Sequence, residues 1–237
     1  MLRLLYSVWC WSATLVLTVV FGSMAILTSW IPPRGNVYLF WARNWARSVL
    51  WFCGLGAKVE AAPGGLAVRE AIFMSSHESA IDILALLVAI PLQLRFLAKK
   101  SLFYVPFLGW SMWLAGFVPV ERESRQSGLE ALEALERRLR TGLSVLIFPE
   151  GTRSRDGKLG KFKKAGFLLA IRTGIPIVPI AVTGARPILG WKGLLIRRGK
   201  ATVRIGEPIP TKGLAVHDRA ALVERVRGEI QKLRGGE

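Results

Sequence analysis

The sequence predicts an α/β fold in which a central, mostly parallel or mixed sheet is flanked by helices and preceded by an N-terminal two-helix membrane anchor. Residues 4–31 carry no charged side chain, and this run is longer than the roughly 20 apolar residues that span a bilayer. Beyond residue 57, short apolar runs alternate with helical segments, which is typical of sheets layered with helices. Aromatic content drops at AKVEAAPGG. We therefore expect an anchor at residues 1–57 and an α/β domain at residues 58–237.

The elements of the domain follow from the period of its apolar residues. Short apolar runs predict strands at EAIFMS, LRFLA, GFVPV, LSVLIFP, IPIVPIAVTG and KATVRIGEP. Helical spacing is found in AIDILALLVAI, in KKAGFLLAIRTG and in residues 217–233. The clearest helix is SGLEALEALERRLRTG, which ends at Gly142. In it, Leu129, Leu132, Glu136 and Leu139 mark a near-helical stripe.

The segment VYLFWARNWARSVLWFCG is predicted to be an amphipathic helix with an aromatic face. That face is formed by Tyr38, Trp41, Trp45 and Phe52, with Arg43 and Arg47 largely opposite. Because Trp and Tyr favour headgroup depth, this helix is expected to lie in the plane of the membrane interface. The alternative is an ordinary amphipathic helix that covers the protein's own core.

A cleaved signal peptide is the competing interpretation of the apolar N-terminal run. Such peptides have an apolar region of about 7 to 15 residues followed by an A-x-A-like site. Here the apolar run is longer and leads into SWIPPRG, which contains no such site. The sequence therefore favours a retained anchor, and it leaves open whether the anchor spans the bilayer or lies within one leaflet.

The net charge of +17 and the isoelectric point near 10.9 indicate a polyanionic partner. Nucleic acid and anionic lipid both qualify. The basic residues accompany an apolar, Trp-rich N-terminal region, and the sequence has neither a zinc-finger spacing nor an RNP-like aromatic pattern. Anionic lipid headgroups are therefore favoured, with acidic substrates as a second partner of the charge.

The stretch SSHESAID contains one of the two histidines and places a carboxylate five positions after it. On a continuous helix these side chains would point about 140° apart. If His77 lies on a loop that leads into a helix, with Ser79 as N-cap and Asp82 in the first turn, the carboxylate can reach the imidazole. A His–Asp pair of this kind can take up a proton near neutral pH. The alternative is a histidine that serves as a cap or a surface group.

Polar stretches follow four predicted strands, and sites in open α/β sheets gather at such carboxyl ends. These stretches are SSHESAID, PVERES, PEGTRSRDG and PIAVTGARP. In the third, Gly151 permits a tight turn and Arg153 offers a planar fork suited to phosphate. Arg122 in PVERES has the same fork, although it could pair with the glutamates beside it. For all these charged residues, including the lysines, a solvated surface role is the alternative.

Other catalytic patterns are absent from the sequence. It contains no G-x-S-x-G elbow, and GTRSRDGKL departs from a phosphate-binding P-loop in spacing and final residue. Cys10 and Cys53 are far apart and form no metal or redox pattern. If His77 and Asp82 are catalytic, the nucleophile is therefore expected to belong to the substrate.

The stretches HESAID, GFVPVERES, FPEGTRS and IPIVPIAV occur in this order. The combination resembles the glycerolipid acyltransferase family, and specifically the bacterial 1-acyl-sn-glycerol-3-phosphate acyltransferases. The resemblance covers roughly residues 71–210 and all four sequence blocks of the family. The chain departs from many relatives at Ser76, where they have Asn, and at Ser101, where they have Glu.

The resemblance implies direct acyl transfer to the sn-2 hydroxyl of lysophosphatidic acid, without a covalent enzyme intermediate. His77 would be the general base, and Asp82 would orient it. The glycerol phosphate would be held by Arg122, Glu150, Gly151, Thr152, Arg153, Lys99 and Lys100. The acyl or donor side would be lined by Ile177, Val178, Pro179 and Ile180.

The resemblance also implies that no metal and no other cofactor is needed, with acyl-coenzyme A or acyl-carrier protein as co-substrate. The expected partners are this donor, lysophosphatidic acid and anionic phospholipid, and not nucleic acid. The excess of Lys and Arg predicts an inner-membrane protein with its catalytic domain on the cytoplasmic side. Two alternatives remain: another acceptor, such as glycerol 3-phosphate, lyso-ornithine lipid or another lysophospholipid, and a non-catalytic basic membrane-binding protein.

Overall fold

The computed structural model describes residues 1–31, 36–121, 124–191 and 193–235, and these fold around a seven-stranded sheet with helices on both faces. The helices are α1 (Leu2–Leu27), α2 (Asn36–Phe52), α3 (Ile81–Ala89), α4 (Leu108–Leu114), α5 (Arg125–Leu139), α6 (Ala165–Thr173), α7 (Ala185–Ile188) and α8 (Arg219–Arg234). The strands are β1 (Gly56–Ala61), β2 (Ile72–Ser75), β3 (Leu94–Lys99), β4 (Val118–Val120), β5 (Ser144–Ile147), β6 (Ile177–Thr183) and β7 (Lys200–Ile205). Short 3₁₀ helices lie at Lys100–Tyr104 and Val216–Asp218.

The strand order is β1-β7-β6-β2-β5-β3-β4. From β6 to β4 neighbouring strands are parallel, whereas β7 is antiparallel to β6 and β1 is parallel to β7. The predicted mostly parallel or mixed sheet is confirmed. β1 is missing from the predicted strands because this edge strand is only partly buried and carries two charges, so it lacks a continuous apolar run.

The two faces of the sheet are covered by different helices. On one face, Leu39 of α2 and Leu84 of α3 belong to the same core cluster as Phe73 of β2. On the other, Leu135 of α5 and Phe167 of α6 pack with residues of α8 against the sheet. Because both faces are covered, the central parallel strands read as continuous apolar runs, which is why the sequence predicts them correctly.

The buried stripe of α5 differs from the predicted one. Leu129 is 50% exposed, and the Glu136 carboxylate pairs with two arginines near the surface. The side chains that face the sheet are Ala131, Leu135 and Leu139, which are spaced four residues apart. Within the predicted stripe, Leu139 is buried and Leu132 is partly buried, whereas Leu129 and Glu136 lie toward the surface. A leucine-rich helix offers two stripes, and its period alone does not identify the buried one.

The aromatic face of α2 packs inside the protein. Tyr38 is 4% exposed. The indole N–H of Trp41 donates to Thr28 Oγ1 at 2.9 Å, and that of Trp45 donates to Thr18 Oγ1 at 3.1 Å. The expectation that this face lies against the membrane is therefore wrong for these three aromatic residues. α2 packs between α1 and α3, as the alternative describes, while Phe52 is 42% exposed, and the position of α2 relative to a membrane stays a prediction.

α1 lies across the edge of the sheet at which the parallel strands end. Near its start, Ser7 Oγ accepts a hydrogen bond from the N–H of Ile196, just before β7. Near its end, Gly22 lies so close to the turn at Phe107 that an added Cβ would meet the Phe107 side chain at 2.9 Å. Among the described residues, α1 is the one helix that is long and apolar enough to cross a membrane.

The division predicted at residue 57 stays a prediction. β1 crosses this position and pairs with β7 along its whole length. Cys10 of α1 and Leu39 of α2 belong to the same core cluster as Phe73 in the central sheet. The two N-terminal helices therefore share a hydrophobic core with the α/β part of the protein.

Candidate active site

His77 lies just beyond the end of β2, near the middle of the sheet. β2 is parallel to both β5 and β6, so the loops that follow these three strands meet at one edge. α3 leaves β2 toward one face, and α6, which follows β5, packs on the other. Chains that leave neighbouring strands in opposite directions open a crevice at the carboxyl ends, and α/β proteins place ligands there.

His77 and Asp82 form a buried hydrogen-bonded pair. The Nδ1 of His77 lies 2.8 Å from Asp82 Oδ2, and the two side chains are 5% and 0% exposed. The same oxygen accepts the backbone N–H of Glu78 at 2.7 Å and that of Ser79 at 2.9 Å. Asp82 lies in the first turn of α3, so the predicted reach of its carboxylate is confirmed. With Nδ1 held, Nε2 is the ring nitrogen left for proton transfer.

Two serines hold the HESAID loop against β6 and the segment that follows α7. Ser76 Oγ accepts the N–H of Val182 at 3.0 Å. Ser79 Oγ donates to the carbonyl of Leu189 at 2.7 Å and accepts the N–H of Ile81 at 3.2 Å. Ala80, and not Ser79, occupies the N-cap position of α3. The helix therefore begins one residue later than predicted, and Ser79 binds its first N–H from the position before the N-cap.

The backbone and ring of His77 are held by the segment that follows β5. Its N–H donates to Glu150 Oε1 at 3.3 Å, and its carbonyl accepts the N–H of Ser154 at 2.7 Å. The imidazole stacks on Phe148, with ring centroids 3.9 Å apart and planes 16° apart. The sequence places this segment at the correct edge of the sheet but gives no sign of these contacts.

Glu150 connects the two loops of the site. It is 8% exposed, and its second oxygen, Oε2, accepts the N–H of Gly160 at 2.8 Å. Burial raises the pKa of Glu150 above its usual value, while the backbone N–H groups of Gly160 and His77 oppose that rise. The resemblance assigns Glu150 to the phosphate site, whereas both of its oxygens here bind backbone N–H groups.

Gly151 has the backbone conformation that the sequence predicts for a tight turn. Its φ is +72°, and an added Cβ would meet Cε of Lys163 at 2.7 Å. This conformation and the close approach both favour glycine. The turn exposes Thr152 and leaves Arg153 half-buried at the carboxyl edge of the sheet.

The predicted lysines lie at the same edge, farther along the sheet. Lys99 is the last residue of β3, and Lys100 begins the following 3₁₀ helix, with its Nζ 3.9 Å from Glu121 Oε2. β3 is two strands away from β2, so both lysines are about 10 Å across the sheet from His77. Arg122 lies outside the described residues, and its predicted role stays a prediction.

The residues predicted for the acyl or donor side are part of the sheet core. They are Ile177, Val178, Pro179 and Ile180, at the start of β6 between β2 and β7. All four are buried. The structure gives them a packing role, and their contact with an acyl chain or donor stays a prediction.

An ion pair beside His77 is not foreseen by the sequence. Arg234 Nη1 lies 2.7 Å from Glu78 Oε1, and the two side chains are 16% and 7% exposed. Burial raises the pKa of Glu78, and the charge of Arg234 opposes that rise. The partners are 156 positions apart in the chain, so no local pattern could have indicated the pair.

In the part of the chain that the structure describes, no three His, Cys, Asp or Glu side chains come together as a metal site. Cys10 and Cys53 are buried between α1 and the end of α2, with Cys53 Sγ 3.8 Å from the carbonyl oxygen of Cys10. The expectation that no metal and no other cofactor is needed stays a prediction.

The acyltransferase family model matches residues 62–183, about half of the chain. The match begins just after β1 and ends with β6. It therefore contains the HESAID loop, the segment after β5 and the five parallel strands β2 to β6. The sequence resemblance to glycerolipid acyltransferases agrees with this match.

Curated relatives extend the similarity beyond the matched segment. The chloroplastic 1-acyl-sn-glycerol-3-phosphate acyltransferase of Arabidopsis thaliana is 34% identical over 202 residues, which cover 84% of this chain and 56% of the relative. The 1-acyl-sn-glycerol-3-phosphate acyltransferase of Saccharomyces cerevisiae is 37% identical over 180 residues, which cover 75% of this chain and 59% of the relative. The chain thus spans little more than half the length of these curated relatives.

A solved structure shares nearly the whole fold. It is the crystal structure of the 1-acyl-sn-glycerophosphate (LPA) acyltransferase from Thermotoga maritima, with a TM-score of 0.82 and 25% sequence identity. The alignment covers 98% of this chain and 96% of that one. The similarity therefore includes the N-terminal helices as well as the sheet.

Proposed function

Because the chain belongs to the acyltransferase family, we propose that it transfers an acyl chain from an acyl thioester to the sn-2 hydroxyl of lysophosphatidic acid. The product is phosphatidic acid, an intermediate of phospholipid biosynthesis. The observation that carries the proposal is the buried hydrogen-bonded pair of His77 and Asp82 at the carboxyl end of a central strand. The names of the relatives and of the similar crystal structure support the choice of acceptor.

His77 acts as the general base. Its Nε2 takes the proton of the sn-2 hydroxyl while the hydroxyl oxygen attacks the carbonyl carbon of the thioester. Asp82 holds the Nδ1–H and stabilises the imidazolium that forms. When the carbon–sulfur bond breaks, the imidazolium returns the proton to the leaving thiolate. An ester and a free thiol result, and no group of the protein becomes acylated.

The acceptor's phosphate is held by Arg122 and by the cations Arg153, Lys99 and Lys100 at the carboxyl edge of the sheet. The guanidinium forks of Arg122 and Arg153 suit two-point contact with phosphate oxygens, whereas Lys99 and Lys100 supply point charges. Thr152 offers a hydroxyl from the exposed turn. Glu150 acts indirectly, because its carboxylate binds the N–H of Gly160, seven residues beyond Arg153, and anchors the backbone of the general base through the N–H of His77.

The protein works at a membrane surface, where its lysolipid acceptor resides. The outward side of α1 is apolar, with Leu15 67% exposed. Helix α4 packs against α1 and adds Trp110 and Trp113, which are 52% and 57% exposed. Tryptophan favours headgroup depth, and an apolar helix face of this size enters the boundary between headgroups and acyl chains. Residues 1–57 thus serve as the membrane-binding part.

A basic cleft borders the start of α1. It measures about 460 Å³ and is lined by Arg3, Arg186 and Arg197 together with Leu194 and Leu195. Leu194 is 74% exposed, and the Arg3 guanidinium donates to the carbonyl of Leu195 at 2.9 Å. Guanidinium groups beside exposed apolar side chains suit an anionic headgroup and its acyl chains. Anionic phospholipid binds here and keeps the active-site edge against the bilayer.

The donor is acyl-coenzyme A or an acyl-carrier protein. Both are strongly acidic, and the net charge of +17 favours their approach. The excess of Lys and Arg also supports a location at the inner membrane with the α/β part on the cytoplasmic side. No nucleic acid takes part.

Acceptor choice tests this proposal most simply. The purified, detergent-solubilised protein is supplied with an acyl thioester and, separately, with lysophosphatidic acid, glycerol 3-phosphate or a lysolipid that lacks phosphate. Thiol release and lipid product are measured together. The expected result is release with lysophosphatidic acid and formation of phosphatidic acid. Equal or faster release with another acceptor would overturn the choice of substrate and leave the chemistry intact.

A non-catalytic membrane-binding protein is the second candidate, favoured by the net charge and by the exposed face of α1. It leaves the His77–Asp82 pair without a role. Binding to anionic vesicles with no thiol release from either donor and any acceptor would favour it. Steep salt-dependent binding to DNA without lipid affinity would instead indicate a nucleic-acid protein.

A further inference from the structure

Three arginines hold the loop that follows Arg153. Each donates through its guanidinium to backbone carbonyl oxygens of residues 154–160. Arg186 of α7 binds the carbonyls of Arg155 and Asp156, Arg227 of α8 binds those of Leu159 and Gly160, and Arg234 of α8 binds that of Gly157. Hydrogen bonds from charged donors are among the stronger ones in proteins, so this loop is fixed by side chains from two distant helices.

The same loop is joined to the active site at both ends. At its start, the N–H of Ser154 donates to the carbonyl of His77 at 2.7 Å. At its end, the N–H of Gly160 donates to Glu150 Oε2, whose partner oxygen binds the N–H of His77. A shift of this loop would therefore move the backbone of the general base.

Arg234 differs from the other two arginines because it also binds the HESAID loop. One of its terminal nitrogens lies 2.7 Å from Glu78 Oε1, and the other donates to the Gly157 carbonyl. The backbone N–H of Glu78 in turn donates to the carboxylate oxygen of Asp82 that holds His77. A single guanidinium at the end of α8 thus connects both loops of the site.

The ion pair of Arg234 and Glu78 is itself buried. Burial raises the pKa of Glu78, and the charge of Arg234, with a smaller contribution from Arg186, opposes that rise. Removing one partner of a buried ion pair is strongly destabilising. Loss of Arg234 is therefore expected to displace Glu78 and the loop that carries His77.

We propose that Arg234 is a positioning residue for this active site, which holds the HESAID loop to the loop of residues 154–160. The proposal rests on the proposed function for its effect on activity. It does not depend on that function for its effect on the imidazole, which can be observed directly.

Kinetics give the first readout. Arg234→Gln is expected to lower kcat by about tenfold or more, because a displacement on the order of 1 Å at a reacting group can cost about a hundredfold. KM for lysophosphatidic acid should change less than threefold, since Arg234 does not touch the phosphate site. Arg234→Lys should recover part of kcat, because lysine keeps the charge but not the fork. Lys232→Gln on the same helix, whose ion pair with Glu229 is exposed, is the matched control and should match wild type.

The position of the imidazole signal gives the second readout and needs no activity. The protein has two histidines, so a His217→Ala background leaves His77 as the single histidine signal in NMR. Arg234→Gln should move that signal from its wild-type position at one fixed pH, because both loops that hold His77 lose a contact. Lys232→Gln, the control, should leave the signal in place.

The two readouts separate the failure of this inference from the failure of the proposed function. A wild-type protein inactive on lysophosphatidic acid would defeat the function, while the expected shift of the imidazole signal would still support the role of Arg234. An unchanged imidazole signal in Arg234→Gln would overturn that role, as would unchanged kcat in an active protein. A lower melting temperature with wild-type kcat and an unchanged imidazole signal would mean that Arg234 serves folding alone.

Discussion

The surroundings of His77 and the outer face of α1 differ in the burial and polarity of their side chains. Around His77, buried polar groups are joined by hydrogen bonds: Asp82, whose side chain is 0% exposed, binds His77 and two backbone N–H groups through Oδ2, and Glu150 binds two backbone N–H groups. Asp82 Oδ1 is buried without a partner among the described residues. Along α1, apolar side chains remain open, with Leu15 67% and Val16 60% exposed. A buried polar network costs free energy unless its groups are paired, and an exposed apolar face costs free energy unless something covers it.

The difference shows that one part of the molecule fixes the geometry of the catalytic pair and another part provides the surface that can meet a membrane. Loops after β2 and β5 fix the imidazole from inside the protein, and α1 with α4 offers a surface that a lipid bilayer can cover. α1 contacts the segment before β7 and the turn before α4, both at the edge of the sheet where the parallel strands end, so we expect both regions to serve the proposed lipid substrate. Substitutions should nevertheless separate chemistry from membrane binding.

The largest expected effect is on chemistry alone. His77→Ala should lower turnover by at least about a hundredfold, because it removes the general base. Binding to anionic vesicles should persist, since α1 and α4 are untouched. His217→Ala is the matched control: this histidine is 83% exposed in its side chain, and its loss should leave turnover unchanged. Turnover of His77→Ala at the wild-type rate would remove His77 from the mechanism.

Asp82→Asn also tests the surroundings of His77 and is expected to affect chemistry alone. The asparagine amide has the size of the carboxylate but carries no charge to stabilise the imidazolium. If its NH₂ group took the place of Oδ2, it would face the N–H groups of His77, Glu78 and Ser79, and no hydrogen bond could form there. We expect kcat to fall by about a hundredfold or more, with little change in KM for either substrate. Steady-state kinetics in detergent measure both values. A fall confined to KM would instead place Asp82 in substrate binding.

Charges on the outer face of α1 should affect binding alone. Leu15→Asp combined with Val16→Asp is expected to weaken binding to phosphatidylglycerol vesicles by well over tenfold, because a charged side chain is costly within a bilayer. Activity in detergent micelles should remain near wild type. Leu129→Asp, on the exposed side of α5, is the control for an added surface charge. Unchanged vesicle binding in the double variant would show that this face is not covered by lipid.

The smallest of these effects concerns the acceptor's phosphate. Arg153→Gln should raise KM for lysophosphatidic acid by about tenfold, the loss of one charge-assisted hydrogen bond, with a smaller effect on kcat. Lys161→Gln, exposed in the same segment, should change neither. Equal KM values for Arg153→Gln and wild type would assign the phosphate to the other cations at this edge.

The parallel strands and the reach of Asp82 to His77 are predictable from the sequence because each depends on neighbouring residues. Apolar runs between two helix layers define the strands, and five positions of loop and helix start define the pair. The edge strand β1 escapes prediction, since its partner β7 lies far away in the chain and supplies its only hydrogen-bonded neighbour among the described strands.

Contacts between distant loops explain the other differences. Glu150 carries a charge suited to many roles, and only the fold reveals that its oxygens bind the N–H groups of His77 and Gly160. The pair of Glu78 and Arg234 spans 156 positions. For α2, composition correctly predicts an amphipathic helix, but the sequence cannot tell whether its aromatic face meets lipid or another helix of the same protein.

The central claim is that His77 activates the acceptor's own hydroxyl for attack on the thioester. Thiol release by the wild-type protein, compared between lysophosphatidic acid and an analogue that lacks the sn-2 hydroxyl, tests it most directly. We predict release with lysophosphatidic acid, one thiol for each phosphatidic acid formed, and none above background with the analogue. Release at the same rate with the analogue, or a burst of thiol without any acceptor, would contradict direct transfer.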